Sequence, residues 1–358
     1  MTGARPFEPA RTAARRHALA EVLAAEPDGA ALLVGDPLDV RYLTGFQGTN
    51  AALLVLDGEP RLVTDTRYAA PAQATGLPVR LAPGPAAAAA MELLPPHRPV
   101  LVDPDATTAG QWVRFAAARP AARLAPSPTA VLRQRKDDAE RAAIAEAVAD
   151  SERVLLGLLA DGVAGRTERE LARTLEHGFA EGAAFPAIVA AGEHSAVPHH
   201  VPTDRPVRRG DLLKIDFGGR SAGYCADLTR TFVVGAAAGW QRDLYAVVLA
   251  AQQAGRAAVL AGAAIAEVDA AARTVIADAG LGDCFGHGLG HGLGLAVHEQ
   301  PILAARSAGT LADGMAITIE PGVYLPGRGG VRIEDTVLVT PQGHRNLVTL
   351  PHDLVVVD

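Results

Sequence analysis

Four acidic side chains interrupt otherwise apolar runs in the second half of this 358-residue chain. Asp216 lies in Leu212-Leu213-Lys214-Ile215-Asp216-Phe217. Asp227 lies between Tyr224 and Thr231. Glu320 ends Ile317-Thr318-Ile319-Glu320, and Glu334 ends Val331-Arg332-Ile333-Glu334. One acid of this kind belongs on a solvated sheet face, which antiparallel sheets commonly show. Four are harder to place that way. Carboxylates that converge in a partly buried site cannot all stay ionised and unpaired, so protons or bound cations must compensate. Two divalent ions carry the charge that balances four carboxylates.

Histidines join the acids. The segment from His287 to Glu299 holds His287, His291 and His298 among glycines. Glycine lets backbone approach closely and clears side chains from around the imidazoles. Neutral histidine is the commonest metal ligand. A polar turn explains one histidine in a glycine-rich loop, but not three within twelve residues beside four strand acids.

Period-two alternation predicts how strands present these groups. Cys225, Asp227, Thr229 and Thr231 fall on one face, as do Thr318 with Glu320 and Arg332 with Glu334 and Thr336. Ile317, Ile319, Val331 and Ile333 fall on the other. The strand-like runs are Asp211–Gly218, Tyr224–Val234, Ala316–Tyr324 and Val331–Val339. Ala-rich helices are expected near Trp240–Leu260 and Ala266–Ala279. Upstream, Asp137–Leu159 has helical spacing, and Thr167 with Glu170 forms a capping box for the next helix. The first third alternates strands and helices: a helix over Ala10–Ala25, a strand at Ala30–Val34, a hairpin of Ala51–Leu56 with Arg61–Thr64 around Asp57-Gly58, a helix over Thr66–Thr75, a strand at Val100–Asp103 and a helix over Thr107–Ala118. Prolines 126 and 128 mark a boundary. The expected organisation is a small α/β domain over residues 1–130 and a larger α+β domain of mostly antiparallel sheet over 131–358.

Composition excludes several classes. The formal charge is −7, and basic residues form no long run, so the footprint of a nucleic-acid binder is missing. Ala246–Ala266 is too polar for a membrane span. The stretch around Arg5, Arg11, Arg15 and Arg16 lacks the apolar core of a signal peptide. Two cysteines, Cys225 and Cys284, make no disulfide framework. A cytoplasmic protein is expected. Lys136 and Lys214 are the only lysines, a scarcity that reads as base-composition bias along with the alanine excess.

These segments resemble the proline-specific metallopeptidases, the Xaa-Pro aminopeptidase and prolidase family. The likeness rests on His287–Glu299, Lys214-Ile-Asp216-Phe-Gly, Asp227-Leu-Thr-Arg-Thr, Ile319-Glu320-Pro-Gly-Val-Tyr324 and Arg332-Ile-Glu334-Asp, in matching order and spacing. It is strong from Lys136 onward. It extends more weakly to Arg41-Tyr-Leu-Thr-Gly-Phe and Asp65-Thr-Arg-Tyr68. The resemblance implies a C-terminal pita-bread catalytic domain, a curved antiparallel sheet backed by helices, with a smaller N-terminal creatinase-like α/β domain. It implies that Asp216, Asp227, His291, Glu320 and Glu334 hold two divalent ions, with Asp227 and Glu334 bridging them. It also implies a homodimer.

The implied activity is hydrolysis of Xaa-Pro bonds in short peptides, by an aminopeptidase or a dipeptidase, through a hydroxide that bridges the metals. Glu320 is the candidate proton shuttle. His199, preferred over His200 by its spacing to Asp216, matches a substrate-side histidine that stabilises a developing oxyanion. His298 matches a second one near the scissile bond. Arg332 is expected to balance the acids or to recognise a substrate carboxylate. Thr229 and Tyr324 are expected to orient ligands, and His287 to lie near the site without ligating. Cys225 reads as a small packing residue. Oxygen-rich ligation favours Mn²⁺, with Co²⁺ and Zn²⁺ as alternatives. Competing readings are a non-peptidase of the same fold acting on a small metabolite, a methionine aminopeptidase, and an inactive binding module.

Overall fold

Asp57 and Gly58 both take positive φ, 52° and 79°, as a type I′ turn requires. They join Ala51–Leu56 to Glu59–Thr64 as an antiparallel hairpin. This hairpin belongs to the smaller of two units in the computed structural model, which describes residues 5–26 and 29–358. One unit runs through Arg133, and the other from Gln134 to Asp358.

The smaller unit is built on a six-stranded mixed sheet. Its order is Val79–Leu81, Glu59–Thr64, Ala51–Leu56, Ala31–Val34, Val100–Val102 and Ala122–Leu124. The last three strands run parallel to one another, so helices make the crossovers between them. Leu33, Leu54, Val63 and Val102 pack against Ala86, Ala90 and Phe115 of those helices. The helix expected over Thr66–Thr75 is shorter than its pattern. A 3-10 turn at Thr66–Tyr68 precedes a helix of Ala69–Gln73.

The larger unit carries two principal sheets. One is four-stranded, in the order Val356–Val357, Leu228–Val234, Leu212–Phe217 and Ile188–Ala191. The other is five-stranded, in the order Glu299–Leu303, Gly290–Gly292, Ala316–Ile319, Asp335–Thr340 and Gly343–Asn346. A bridge between Thr229 and Glu334 ties the first sheet to the second. Helices Asp138–Ala160 and Glu168–Gly178 back the first sheet, and each starts with a capping box. Their Val148, Leu155, Leu171 and Leu175 share a core with Leu213, Ile215 and Phe217. Alternation therefore turns Lys214 and Asp216 to the opposite face. Helices Gly239–Ala257 and Ile265–Asp278 back the second sheet, where Leu244, Val248 and Val268 meet Ile317, Ile319 and Val337.

Three strands expected to be continuous are broken. The run Ala316–Tyr324 splits into Ala316–Ile319 and Gly322–Leu325, with Glu320 and Pro321 between them. The run Val331–Val339 splits into Gly329–Arg332 and Asp335–Thr340, with Ile333 and Glu334 between them. Pro321 offers no N–H to a ladder, so the chain leaves the five-stranded sheet there. It forms a separate hairpin, Gly322–Leu325 with Gly329–Arg332. Asp227 likewise falls between Tyr224–Cys225 and Leu228–Val234. Only Asp216 of the four acids lies inside a strand. The other three occupy strand junctions, and the shared faces predicted for them by period two do not describe their positions.

Candidate active site

The strand junctions bring the acids together at the seam of the two sheets. Asp216 and Asp227 come from the first sheet, and Glu320, Glu334 and His291 from the second. Side-chain ligand atoms of Asp216, Asp227 and Glu334 lie within 4.8 Å of one another, as do those of His291, Glu320 and Glu334. Glu334 belongs to both groups. Asp227, His291 and His298 make a third such group.

Local chemistry fixes each group. Glu334 accepts from the Thr229 hydroxyl at 2.6 Å, and its backbone N–H donates to the Thr229 carbonyl at 3.1 Å. The Thr336 hydroxyl donates to the Asp227 carbonyl at 2.7 Å. The His291 backbone N–H donates to the Thr318 hydroxyl, which donates in turn to Glu320 at 3.4 Å. His291 Nδ1 stands 3.0 Å from the Gly292 carbonyl, which can only accept. The proton therefore sits on Nδ1, and the Nε2 lone pair is left facing Asp227 at 3.5 Å and Glu320 at 3.4 Å. The glycines beside His291 are required by space. A Cβ at Gly290 would stand 2.0 Å from the Thr318 carbonyl oxygen, and one at Gly292 2.2 Å from that of Gln300.

The electrostatics call for cations. Burial, then Glu334, Asp216 and Glu320, push the Asp227 carboxyl well above its ordinary range. Burial, then Glu320 and Asp216, do the same to Glu334. Burial pushes Glu320 up to about 8 against the pull of Arg332. Asp216 Oδ1 is buried with no hydrogen-bond partner. Burial lowers His291 to about 4, so it is a neutral imidazole at ordinary pH. An unpaired buried carboxylate oxygen, mutually repelling carboxylates and a neutral imidazole with an open lone pair fit divalent metal ions.

The Arg332 guanidinium is bonded to a carboxylate of this floor. It pairs with Asp216 and donates to the Tyr324 hydroxyl at 2.7 Å and to the Thr229 hydroxyl at 3.2 Å. Burial alone would discharge it. Tyr324, Asp216, Glu320 and Glu334 outweigh that and hold it charged. Tyr324 in turn contacts His287 Nε2 at 2.9 Å, while His287 Nδ1 faces the Gly288 carbonyl. His287 is thus bound into a chain from Arg332 through Tyr324 and stands outside the three ligand groups. Cys225 is buried, with its thiol 3.6 Å from the Leu295 carbonyl.

A cleft of about 510 Å³ opens above the floor. His199 and His298 line it and are both exposed, unlike buried His291. Burial, with Arg332 beside it, lowers the His199 imidazole pKa. His200 is engaged elsewhere: its Nε2 lies 2.8 Å from the fully buried Glu168 carboxylate. Phe185, Pro186, Val201 and Ile302 add apolar walls.

Three buried groups around the site escape sequence reasoning. Lys214 is wholly buried, and burial, aided by Arg332, lowers it to about 6. Glu168 reads in sequence only as a first-turn helix acid, yet it accepts from both His200 and Thr203. Asp335, next to Glu334, is fully buried among Arg230, Gln252, Asn346 and His352. Scarcity of lysine was the one available signal for Lys214.

Residues 139–341 match Metallopeptidase family M24, and residues 15–136 match the Creatinase/Prolidase N-terminal domain. A Bacillus subtilis protein described as an uncharacterized peptidase, YqhT, is 35% identical over 336 residues, covering 91% of this chain and 95% of its own. The structure of an Xaa-Pro dipeptidase from Bacillus anthracis superposes with a TM-score of 0.89 at 31% identity, over 98% of this chain and 100% of that one. An X-Pro aminopeptidase from Thermotoga maritima superposes with a TM-score of 0.83 at 33% identity, over 92% and 97%. The helix-backed sheets of the larger unit are the pita-bread architecture, and their seam has the chemistry of a divalent-metal site. On these grounds the chain belongs to metallopeptidase family M24.

Proposed function

We propose that this chain is a dinuclear metal-dependent exopeptidase that hydrolyses Xaa-Pro bonds in short peptides. The observation that carries this reading is the convergence of four carboxylates and the His291 Nε2 lone pair beneath two exposed histidines. Asp216, Asp227, His291, Glu320 and Glu334 would hold the metals, with Asp227 and Glu334 shared between them. Divalent ions held there supply Lewis acidity and lower the pKa of a bound water.

Glu320 is half-buried, whereas the other three acids are buried. It is the carboxylate best placed to take a proton from the attacking water and return it to the proline nitrogen that leaves. His199 and His298 project into the cleft, where an imidazole N–H can donate to the developing oxyanion or hold the peptide near the scissile bond. Arg332 keeps Asp216 in place, and Tyr324, Thr229 and His287 brace Arg332 and Glu334. The apolar walls suit a proline ring.

The reading includes Mn²⁺ as the native ion, a homodimer, and residues 1–130 and 131–358 as the N-terminal and catalytic domains. It places the enzyme in the cytoplasm. No helix among the described residues is long and apolar enough to cross a membrane. The test is a panel of Ala-Pro, Leu-Pro, Ala-Pro-Ala and Met-Ala-Ser with Mn²⁺ or Co²⁺. Cleavage confined to the dipeptides identifies a dipeptidase, and release of Ala from Ala-Pro-Ala an aminopeptidase. No cleavage of any Pro-containing peptide refutes the proposal.

A further inference from the structure

Thirty-three residues of the chain are lysine or arginine, and only Lys136 and Lys214 are lysine. A base-composition bias replaces lysine most readily at the surface, where water solvates either cation. Both remaining lysines are instead buried, at 4% and 0% exposure. Lysine is a compact donor on a flexible stem, whereas arginine is a planar fork. Interior positions that need a single donor in a narrow space are where lysine would persist.

Each lysine stands behind one of the two exposed histidines. Lys214 Nζ donates to the carbonyl of Val197 at 2.7 Å and to that of Pro198 at 3.3 Å, the two residues that precede His199. Arg332 Nη1 adds a bond to Pro198 at 3.3 Å. After His199, buried Glu168 takes over. It accepts from His200 Nε2 at 2.8 Å, from the Thr203 N–H at 3.0 Å and from the Thr203 hydroxyl at 2.7 Å. His199 is therefore the residue between two anchored segments. Glu168, His194 and His200 also have the spacing of a metal group. However, Glu168 already accepts from the backbone of Ala191 and Thr203, so hydrogen bonds account for its oxygens.

Lys136 has the same relation to His298. Its Nζ lies 3.2 Å from the carboxylate of Glu299, the next residue, with side chains 1% and 7% exposed. Glu299 also accepts from the Ala296 N–H at 3.0 Å, which closes the turn that carries His298. The carbonyl contacts of Lys214 need only N–H donors, so they survive in either protonation state.

We propose that Lys214 and Lys136 are positioning residues, Lys214 for His199 and Lys136, through Glu299, for His298. This rests on the reading of both histidines as substrate-facing groups. Neither lysine touches substrate. Each fixes the backbone from which an imidazole reaches into the cleft, and small displacements of such groups are costly to turnover.

The test makes Lys214→Met and Lys136→Met, each alone and in His199→Ala and His298→Ala backgrounds, in the metal-loaded enzyme. Metal content, kcat and KM are read for an Xaa-Pro peptide. Each lysine variant is expected to lower kcat about 10- to 100-fold at unchanged metal content, the usual loss when an orienting partner is removed. Lys214→Met should add no further loss to His199→Ala and should keep its full effect on His298→Ala. Lys136→Met should show the mirror pattern. Equal losses in both backgrounds, or metal content that falls with activity, would overturn the proposal in favour of a purely structural role. If the histidine variants lose activity and the lysine variants do not, the positioning proposal alone fails. If the histidine variants keep wild-type kcat, the reading of the site fails with it. Should Lys214→Met not fold, Lys214→Gln keeps a donor on a shorter stem and reads the same coupling.

Discussion

The floor and the rim of the cleft are built by opposite means. The floor is made of buried groups on two strands and on strand junctions: Asp216, Asp227, His291 and Glu334, with half-buried Glu320 at its edge. The rim carries exposed His199 and His298 on non-strand segments. Burial gives the floor carboxylates an energetic problem that divalent ions solve. Exposure leaves the rim imidazoles free to meet a ligand, so their position must come from the segments that hold them. The difference teaches a proposed division of labour: the floor would hold ions, and the rim histidines would meet the substrate.

The most severe way to break that division is Asp227→Asn. It removes a carboxylate that lies in two of the three ligand groups, so activity should fall by about 10⁴-fold, together with metal content. Atomic analysis beside a peptidase assay checks both. Glu320→Gln sharpens the comparison from the edge of the floor. Turnover should fall by roughly 10²- to 10⁴-fold while metal remains at least partly bound; near-normal turnover refutes the shuttle role. His199→Ala and His298→Ala come next, with expected losses of about 10²- to 10³-fold in kcat at unchanged metal content.

The smallest effect concerns stability. Burial works against ionised Glu168, but hydrogen bonds from Ala191, Thr203 and His200 outweigh it and hold the carboxyl at about 2, below its ordinary value of 4.5. A depressed carboxyl stabilises the fold above its unfolded pKa, and that contribution is lost as pH falls through its folded pKa. Wild type should therefore exceed Glu168→Gln by about 2 to 3 kcal/mol at neutral pH. The gap should close as pH drops from 4.5 toward 2. Denaturant titrations across that range check it, and a constant gap would contradict the assigned cause.

The floor was legible because acids and histidines are conspicuous in apolar and glycine-rich runs. Glu320 and Glu334 were visible as residue types, but their places at strand breaks were not. Ile317 and Ile319 keep the period-two pattern up to the first break, and Val331 and Ile333 carry it into the second; Pro321 was the clearest local sign of one. The short strands Ile188–Ala191 and Gly290–Gly292 lacked a signal of their own, because alanine and glycine carry little strand preference. Lys214 and Glu168 stayed hidden because lysine and glutamate are ordinarily surface residues. Their burial depends on partners far along the chain: Val197 and Pro198 for one, His200 and Thr203 for the other. Asp335 was hidden for the same reason, since Arg230 and His352 reach it from other segments.

The central claim is that the floor holds the ions and the rim histidines meet the substrate. Counting divalent ions per chain in wild type, His298→Ala and Asp227→Asn, prepared side by side, tests it most directly. The account predicts about two ions in wild type and in His298→Ala, and fewer than one in Asp227→Asn. A His298→Ala protein that loses its ions along with its activity, or a wild type that binds none, would contradict it.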